Sequence, residues 1–172
     1  MAMADDRIGS IFITGLRNAH AVEQQALQIM NRQVERLESY PDLEARLRQH
    51  IDETKGQAER LEAILDDLGE DHSTFKDTMS ELMGNMAALG HSAAGDEVLK
   101  NSFADYAFEN YEIAAYKSLI SMAEAAGVNR AVAPLQQNLR EEEAMASWLA
   151  DHLEGTTQRY LSLEAQGQSG KN

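Results

Sequence analysis

Four long stretches of the chain carry apolar residues at spacings of three and four, the period of an amphipathic helix. We expect helices at about residues 8–38, 42–68, 96–126 and 129–153. With only 2 prolines in 172 residues, few breaks interrupt these stretches, which are rich in good helix formers. The pattern predicts an all-α fold in which residues 1–155 form one four-helix bundle and residues 156–172 form a partly disordered C-terminal tail.

An acidic residue lies near the middle of each expected helix, at matching distances from the turns. Glu23 and Glu53 are 30 positions apart (53 − 23), and their midpoint is residue 38, near the turn after which Pro41 can open a helix. Glu112 and Glu142 are also 30 apart (142 − 112), and their midpoint is the glycine between the third and fourth helices. Residues equidistant from the turn of an antiparallel hairpin lie at the same height. Two such hairpins, packed face to face, would bring four carboxylates together.

The segment between the second and third helices is longer than a tight hairpin needs. Residues 73–89 have apolar side chains at helical spacing, and Gly90 and Gly95 follow them. A helix of this length spans about 25 Å, most of the length of a bundle. We therefore expect a crossover connection, containing a short helix, that lets the third long helix start at the opposite end.

Four ionised carboxylates inside an apolar bundle repel each other, and each costs several kcal/mol in desolvation unless cations compensate them. His50 lies on the apolar stripe of the second helix, and Glu109 lies one turn before Glu112, so both can join the group. The chain has no cysteine, and oxygen ligands with one imidazole suit iron or manganese. The pattern predicts a dinuclear site, with two iron ions per chain and manganese as the alternative metal. Its expected ligands are Glu23, His50, Glu53, Glu109, Glu112 and Glu142.

Each of these residues also has a simpler interpretation. A lone glutamate beside an apolar stripe often lies at the edge of the stripe, and a lone histidine there is often a hydrogen-bonded core residue. We expect His20 to lie at the edge of the apolar stripe or on the surface. The alternative is that it contacts a metal ligand from outside the site. The expected role of Tyr106, Tyr111 and Tyr116 is packing, and the alternative is that one of them hydrogen-bonds a ligand.

Composition excludes several classes of function. A formal net charge of -14 disfavours nucleic acid and anionic membranes as partners, because both are bound largely through Lys and Arg. The absence of cysteine excludes disulfides, thiolate metal sites and thiol nucleophiles. The first residues are acidic rather than basic and apolar, and no apolar run approaches the ~18 residues of a membrane span. We expect a cytoplasmic protein.

Four short motifs resemble a known family, the ferritin-like YciF/YciE stress proteins of bacteria. They are AVEQQ at residues 21–25, HIDET at 50–54 followed by ERLE at 59–62, YEIAAY at 111–116 and LREEE at 139–143, and the resemblance covers about residues 8–155. It implies a ferritin-like bundle, a homodimer, a di-iron centre and an association with stress responses. The chain departs from ferritins proper, since His50 precedes Glu53 where ferritins have Glu-x-x-His, and no histidine lies near Glu142.

Two functions from different classes follow from these features. In the first, a di-iron oxidoreductase reacts with a small oxidant such as dioxygen or peroxide, or with a small-molecule substrate. In the second, a non-catalytic structural or interaction bundle keeps the metal or carboxylate cluster only to stabilise its fold. Iron storage would require a cage that a dimer does not form. The sequence identifies no catalytic residue.

Overall fold

The computed structural model describes residues 2–70 and 95–171, with side chains from residue 7 onward. Four long helices account for most of these residues: α1 (Ala2–Val34), α2 (Pro41–Asp67), α3 (Glu97–Ala125) and α4 (Val132–Ala165). A single turn of 3-10 helix, Asn129–Ala131, precedes α4. The part of the chain that is described contains no strand, which confirms the all-α prediction.

The direction of each helix follows from two apolar clusters, one at each end of the bundle. Phe12 near the start of α1 and Leu65 near the end of α2 lie in one cluster, whereas Val34 and Leu43 lie in the other. Helix α3 begins at the second cluster, with Val98, so it runs parallel to α2 and antiparallel to α1 and α4. The third long helix therefore starts at the opposite end from the close of α2, as a crossover requires. The short helix predicted at residues 73–89 lies outside the described residues.

The turns between neighbouring helices form where the sequence indicates. Pro41 opens α2, where its missing N–H costs nothing because the first helical N–H groups have no partner within the helix. Gly127 closes α3 at φ 72°, a left-handed conformation that glycine adopts without steric cost. The N–H of Val128 then donates to the carbonyl of Ala123 (2.9 Å), which satisfies one of the free carbonyls at the helix end.

The predicted end of the first helix is wrong by several residues, because α1 closes at Val34 rather than near residue 38. Two turns follow the helix. The N–H of Arg36 donates to the carbonyl of Gln33, and the N–H of Tyr40 donates to the carbonyl of Leu37. Leu37 and Tyr40 turn inward and are buried in the same apolar cluster as Val34. Burial of these two side chains explains why the chain leaves the helix early.

The predicted end of the fourth helix near Gly155 is also wrong, since α4 continues to Ala165. A glycine in a helix interior costs about 1 kcal/mol relative to alanine, which the packing of the later residues offsets. Leu163 is buried in the apolar cluster that contains Val34 and Leu43, and Tyr160 packs against the same cluster. The left-handed residue that closes α4 is Gly167, at φ 70°.

The chain beyond α4 folds back onto the bundle. The hydroxyl of Tyr40 donates to the carbonyl oxygen of Gly170 (2.6 Å), and the N–H of Gly170 donates to Glu164 (2.8 Å). Lys171 lies 3.5 Å from the buried carboxylate of Glu97, at the start of α3. Gly170 thus contacts the turn between α1 and α2, and Lys171 contacts the start of α3.

A buried polar layer separates the two apolar clusters. The upper cluster contains Phe12, Leu16, Leu61, Leu119 and Leu135, and the lower one contains Met30, Leu47, Ile51, Met145 and Leu149. Between them, each long helix contributes at least one buried glutamate, histidine or asparagine. Among the described residues, no helix is long and apolar enough to cross a membrane.

Candidate metal centre

The polar layer contains all of the predicted metal ligands except Glu53. Glu23 from α1, His50 from α2, Glu109 and Glu112 from α3, and Glu142 from α4 are each at most 3% exposed. The helix interior places Glu109 and Glu112 one turn apart, so both can face the same layer. Of the four carboxylates that the turn arithmetic matched, Glu23, Glu112 and Glu142 are thus buried in the layer, and Glu53 is not.

His50 lies at the centre of one half of this layer. Its Nε2 is 3.2 Å from Oε2 of Glu109 and 3.5 Å from Oε2 of Glu142. One ligand atom from each of these three residues lies within 4.8 Å of the others, a spacing that one metal ion can bridge. Burial alone would lower the pKa of His50, but the charge of Glu109 and the hydrogen bond with Glu53 raise it to about 9.

Glu53 lies at the edge of the layer, with its side chain 22% exposed. Its Oε2 is 2.9 Å from Nδ1 of His50 and accepts a hydrogen bond from Arg46 (3.1 Å), while Oε1 accepts one from Gln49 (2.7 Å). Burial acts to raise its pKa, but these bonds and the charge of Arg46 outweigh that effect and lower the pKa to about 2. Glu53 thus contacts Nδ1 at one edge of the imidazole, whereas Nε2 at the other edge faces Glu109 and Glu142.

The second half of the layer contains Glu23 and Glu112, without a histidine. The hydroxyl of Tyr116 donates a short hydrogen bond to Oε1 of Glu23. Burial is the main cause that raises the pKa of Glu23 to about 8, against the lowering effect of that bond. Burial likewise raises the pKa of Glu112 well above its usual value, and the charges of Glu23 and Glu109 act in the same direction.

A chain of hydrogen bonds leads from Glu23 to the surface. Tyr116 accepts a bond from Nδ2 of Asn138 (2.9 Å), so its own proton is directed at Glu23. The Oδ1 atom of Asn138 accepts a bond from Arg60, which also pairs with the partly exposed Glu141. The guanidinium of Arg60 is therefore held three hydrogen bonds away from Glu23.

Several carboxylate oxygens in the layer have no hydrogen-bond partner. They are Oε2 of Glu109, Oε1 of Glu112, and both oxygens of Glu142. Burial is the main cause that raises the pKa of Glu142 well above its usual value, followed by the charge of Glu112. A buried polar atom without a partner is costly, and acidic oxygens around one imidazole are ligands that suit iron or manganese. The residues present therefore fit a metal ion.

Sequence reasoning did not single out the neutral residues of this layer. Thr54, Gln57 and Asn138 are each at most 1% exposed, and Tyr116 had packing as its expected role. The spacing of these residues could have indicated their position, because each lies four residues from a predicted ligand. The pairs are His50 and Thr54, Glu112 and Tyr116, and Asn138 and Glu142. Positions four apart share a helix face. Tyr116 hydrogen-bonds Glu23, one of the predicted ligands, while Tyr106 and Tyr111 are exposed.

His20 is the remaining histidine with a buried side chain in the described part of the chain. Its Nε2 lies 2.7 Å from Oε1 of Glu62, a partly exposed residue of α2. His20 is only 8% exposed, so it does not lie on the surface, the other of the two positions expected for it. The prediction that it lies at the edge of the stripe fits its contact with Glu62.

The fold and the site together define a class: a ferritin-like four-helix bundle with acidic residues and one histidine buried at mid-height. The model of the family described as "Domain of unknown function (DUF892)" matches residues 7–162, so the chain belongs to that family. The chain is also 30% identical to protein YciF of Escherichia coli (strain K12) over 155 residues, which is 84% of this chain and 89% of YciF. The resemblance inferred from the four motifs is thereby confirmed.

Solved structures show the same fold. The crystal structure of the E. coli stress protein YciF aligns with a TM-score of 0.70 and 27% identity, covering 85% of this chain and 94% of YciF. A protein from Xanthomonas campestris pv. campestris aligns with a TM-score of 0.76 and 29% identity, covering 91% of this chain and 97% of that one. These matches confirm the predicted bundle across most of both chains.

Proposed function

We propose that this protein binds two metal ions in its buried layer, iron first and manganese as the alternative, and uses them in redox chemistry with dioxygen or peroxide. The observation that carries the proposal is the set of buried carboxylate oxygens that lack hydrogen-bond partners around His50. The E. coli relative is named a stress protein, and we extend that association to this chain.

The two halves of the layer would hold one ion each. His50, Glu109 and Glu142 would bind the first ion, because their ligand atoms already lie within 4.8 Å of one another. Glu23 and Glu112 would bind the second. The charges of Glu112 and Glu109 both act to raise the pKa of Glu142, and bound cations would offset them.

Glu53 would act on the metal through His50 rather than as a ligand. A histidine that binds a metal usually donates its other ring N–H to a carboxylate, which fixes the tautomer. Nδ1 of His50 lies 2.9 Å from Glu53, and Nε2 faces Glu109 and Glu142. This arrangement would leave the Nε2 lone pair available for the ion.

A bound pair of iron ions would supply electrons to an oxidant in the centre of the bundle. The apolar clusters above and below the layer would keep water from its two ends. Tyr116 would hold Oε1 of Glu23 in a fixed direction, and Asn138 would fix the direction of the Tyr116 proton. The buried carboxylates of Glu23, Glu109, Glu112 and Glu142 would provide the negative charge that retains the ions, and His50 would provide a neutral nitrogen ligand.

Metal analysis of untagged protein after anaerobic loading with Fe²⁺ tests the metal assignment. We expect close to two irons per chain in the wild type and at most one in Glu142→Gln. The matched control is Glu143→Gln, which changes an exposed neighbour that pairs with Lys117. Less than about 0.2 iron per chain in the wild type would contradict the proposal. Oxidation of the bound Fe²⁺ by hydrogen peroxide, followed with a ferrous chelator after quenching, tests the redox step.

A second candidate function is a structural bundle without turnover. The favouring observation is that His50 contacts Glu53, Glu109 and Glu142 at once, so a protonated imidazole can compensate part of the buried charge without metal. In that case iron would bind without faster oxidation than iron in buffer. The two candidates therefore differ in the oxidation rate, not in the fold.

The partner expected from the family resemblance is a second copy of the chain. Size-exclusion chromatography tests it, because a dimer has a mass of about 38 kDa, twice the 19.1 kDa of one chain. A cage for iron storage would elute far earlier. A cytoplasmic location stays a prediction.

A further inference from the structure

A cavity of about 170 Å³ lies between α1 and α3 and reaches the carboxylate half of the layer. Glu23 and Glu112 form part of its lining at the buried end, and Tyr111, which is 52% exposed, forms part of its lining at the surface. Ser118 and Met122 line both this cavity and a wider surface groove beside the first turns of α1. Among residues 7–70 and 95–171, the lining of the cavity thus runs from the buried layer to exposed side chains.

Small side chains create this space. Gly15, Ala19 and Ala115 line the cavity on the facing sides of the two helices. A Cβ added at Gly15 would lie 2.8 Å from Cδ2 of Leu119 and 3.4 Å from Sδ of Met122, so even one methyl group there would crowd the lining.

An independent observation indicates a ligand at the buried end. Glu112 is 2% exposed and lines the cavity, yet its Oε1 accepts no hydrogen bond. Its neighbour Glu23 already receives the hydroxyl of Tyr116. One buried acceptor is therefore left for a donor that enters through the cavity.

We propose that this cavity binds a small uncharged molecule with an apolar body and a hydroxyl group, such as a phenol, an alcohol or an organic hydroperoxide. The apolar body would contact Val22, Leu119 and Met122, and the O–H would donate to Oε1 of Glu112. A cavity of about 150 Å³ accommodates benzene, which sets the size of the body. Anions are disfavoured because the chain carries a net charge of -14 and the described residues of the cavity lining include no Lys or Arg.

This inference goes beyond the metal assignment and does not require it, so the test uses metal-free protein. Phenol, toluene and benzoate serve as probes, since they share a ring but differ in the donor and the charge. Binding is followed by NMR of methionine methyl groups labelled with ¹³C, with Met122 assigned through Met122→Leu. We expect phenol to shift the Met122 signal saturably and to bind at least fivefold more tightly than toluene, the effect of about one net hydrogen bond. Benzoate should cause no shift.

Variants locate the ligand. Gly15→Ala and Ala115→Leu should each weaken phenol binding at least tenfold, because they fill the cavity from opposite helices. The second variant changes a partly exposed position and does not depend on the close contact at Gly15. Gly155→Ala is the matched control, as nothing lies within 4 Å of the added Cβ, and phenol binding should not change. Glu112→Met should remove the preference for phenol over toluene.

Several results would overturn the proposal: no shift of Met122 with phenol, equal affinity for toluene and phenol, or normal phenol binding in folded Ala115→Leu protein. The comparison of the three probes on the wild type keeps the test decisive even if Gly15→Ala fails to fold. Protein that binds phenol but no iron would contradict only the metal proposal. Protein that binds iron but no phenol would contradict only the cavity proposal.

Discussion

The two halves of the buried layer balance their charges in different ways. In the histidine half, His50 lies beside Glu109 and Glu142, and its pKa is raised to about 9, so it can carry a positive charge at neutral pH. In the carboxylate half, Tyr116 is a neutral donor to Glu23 alone, and the pKa values of both Glu23 and Glu112 are raised. The first half can tolerate ionisation without a metal, whereas the second needs protons or an added cation.

This difference indicates what each half contributes. In the histidine half, Nδ1 of His50 contacts Glu53, and Glu53 with Arg46 closes the outer side. The carboxylate half borders a cavity that opens at the surface. We infer that the first ion is bound more tightly and that small molecules reach the layer through the second half.

The largest expected effect is the pH dependence of stability in metal-free protein. The pKa of Glu23 is about 8 in the folded protein and 4.5 as the reference value, so the unfolded state loses this proton first as pH rises. The raised pKa contributes stability at low pH that is lost as pH rises from about 4.5 through 8. At ~1.4 kcal/mol per group and pH unit, Glu23 alone lowers the free energy of unfolding by up to about 4 kcal/mol between pH 5 and 8. Urea denaturation across this range measures the slope.

His50 acts in the same direction, since its pKa is also raised and its contribution is lost as pH rises through about 9. The pKa of Glu53 is lowered to about 2, so its contribution changes only in acid, below about pH 4.5. Glu23→Gln is the control, and it should flatten the slope between pH 5 and 8. A wild type equally stable at both pH values would show that the two halves do not differ in charge balance.

The next effect concerns metal affinity, which should separate the halves directly. His50→Gln should weaken the tighter site at least 100-fold, because it removes the imidazole from the set that includes Glu109 and Glu142. Glu23→Gln should abolish the weaker site and change the tighter one by less than about threefold. Calorimetric titration of metal-free protein with Mn²⁺ under anaerobic conditions measures both. Equal losses at both sites in either variant would mean that the ions bind as one unit.

Stability without metal should respond oppositely in the two halves. Glu112→Gln should raise the free energy of unfolding by about 2 kcal/mol at pH 8, because it removes a buried acid that the charges of Glu23 and Glu109 disfavour. His50→Gln should lower it by a similar amount, because Glu109 and Glu142 lose their cation. Denaturation of both variants at pH 5 and pH 8 checks the prediction. The gain in Glu112→Gln should shrink at pH 5, where the unfolded state also binds the proton.

Much of the fold and the height of the site could be predicted from the sequence. Helical periodicity and two turn positions predicted the bundle, and equal spacing around the turns predicted that Glu23, Glu112 and Glu142 share one layer. On α2, the residue at the height of Glu23 could be Glu53 or His50, three residues earlier. The spacing around the turn fitted both equally well. Spacing along a helix is too coarse to decide which of two residues one turn apart faces inward. Arg46, which pairs with Glu53 at the edge, decides it in the folded protein.

Other features depend on tertiary contacts that have no local pattern. The continuation of α4 past Gly155 depends on packing of Tyr160 and Leu163, and the contact between Tyr40 and Gly170 joins residues 130 positions apart. The cavity beside Glu112 depends on how closely α1 and α3 approach at Gly15. These features require the relative placement of helices, which propensity and periodicity do not determine.

The smallest expected effect comes from Tyr116, which has no counterpart in the histidine half. Tyr116→Phe removes the donor to Glu23 and the acceptor for Asn138, both buried, and should cost about 1 kcal/mol in the free energy of unfolding at pH 5. The cost should grow toward pH 8, because the lost bond favours ionised Glu23 and its removal raises the pKa of that carboxyl further. Tyr111→Phe, at an exposed position of the same helix, is the control and should change stability by less than about 0.5 kcal/mol. If the cost of Tyr116→Phe disappears when the second ion is bound, the ion itself orients Glu23. If it persists, the carboxylate half is held in place by Tyr116, as the imidazole of His50 is held by Glu53.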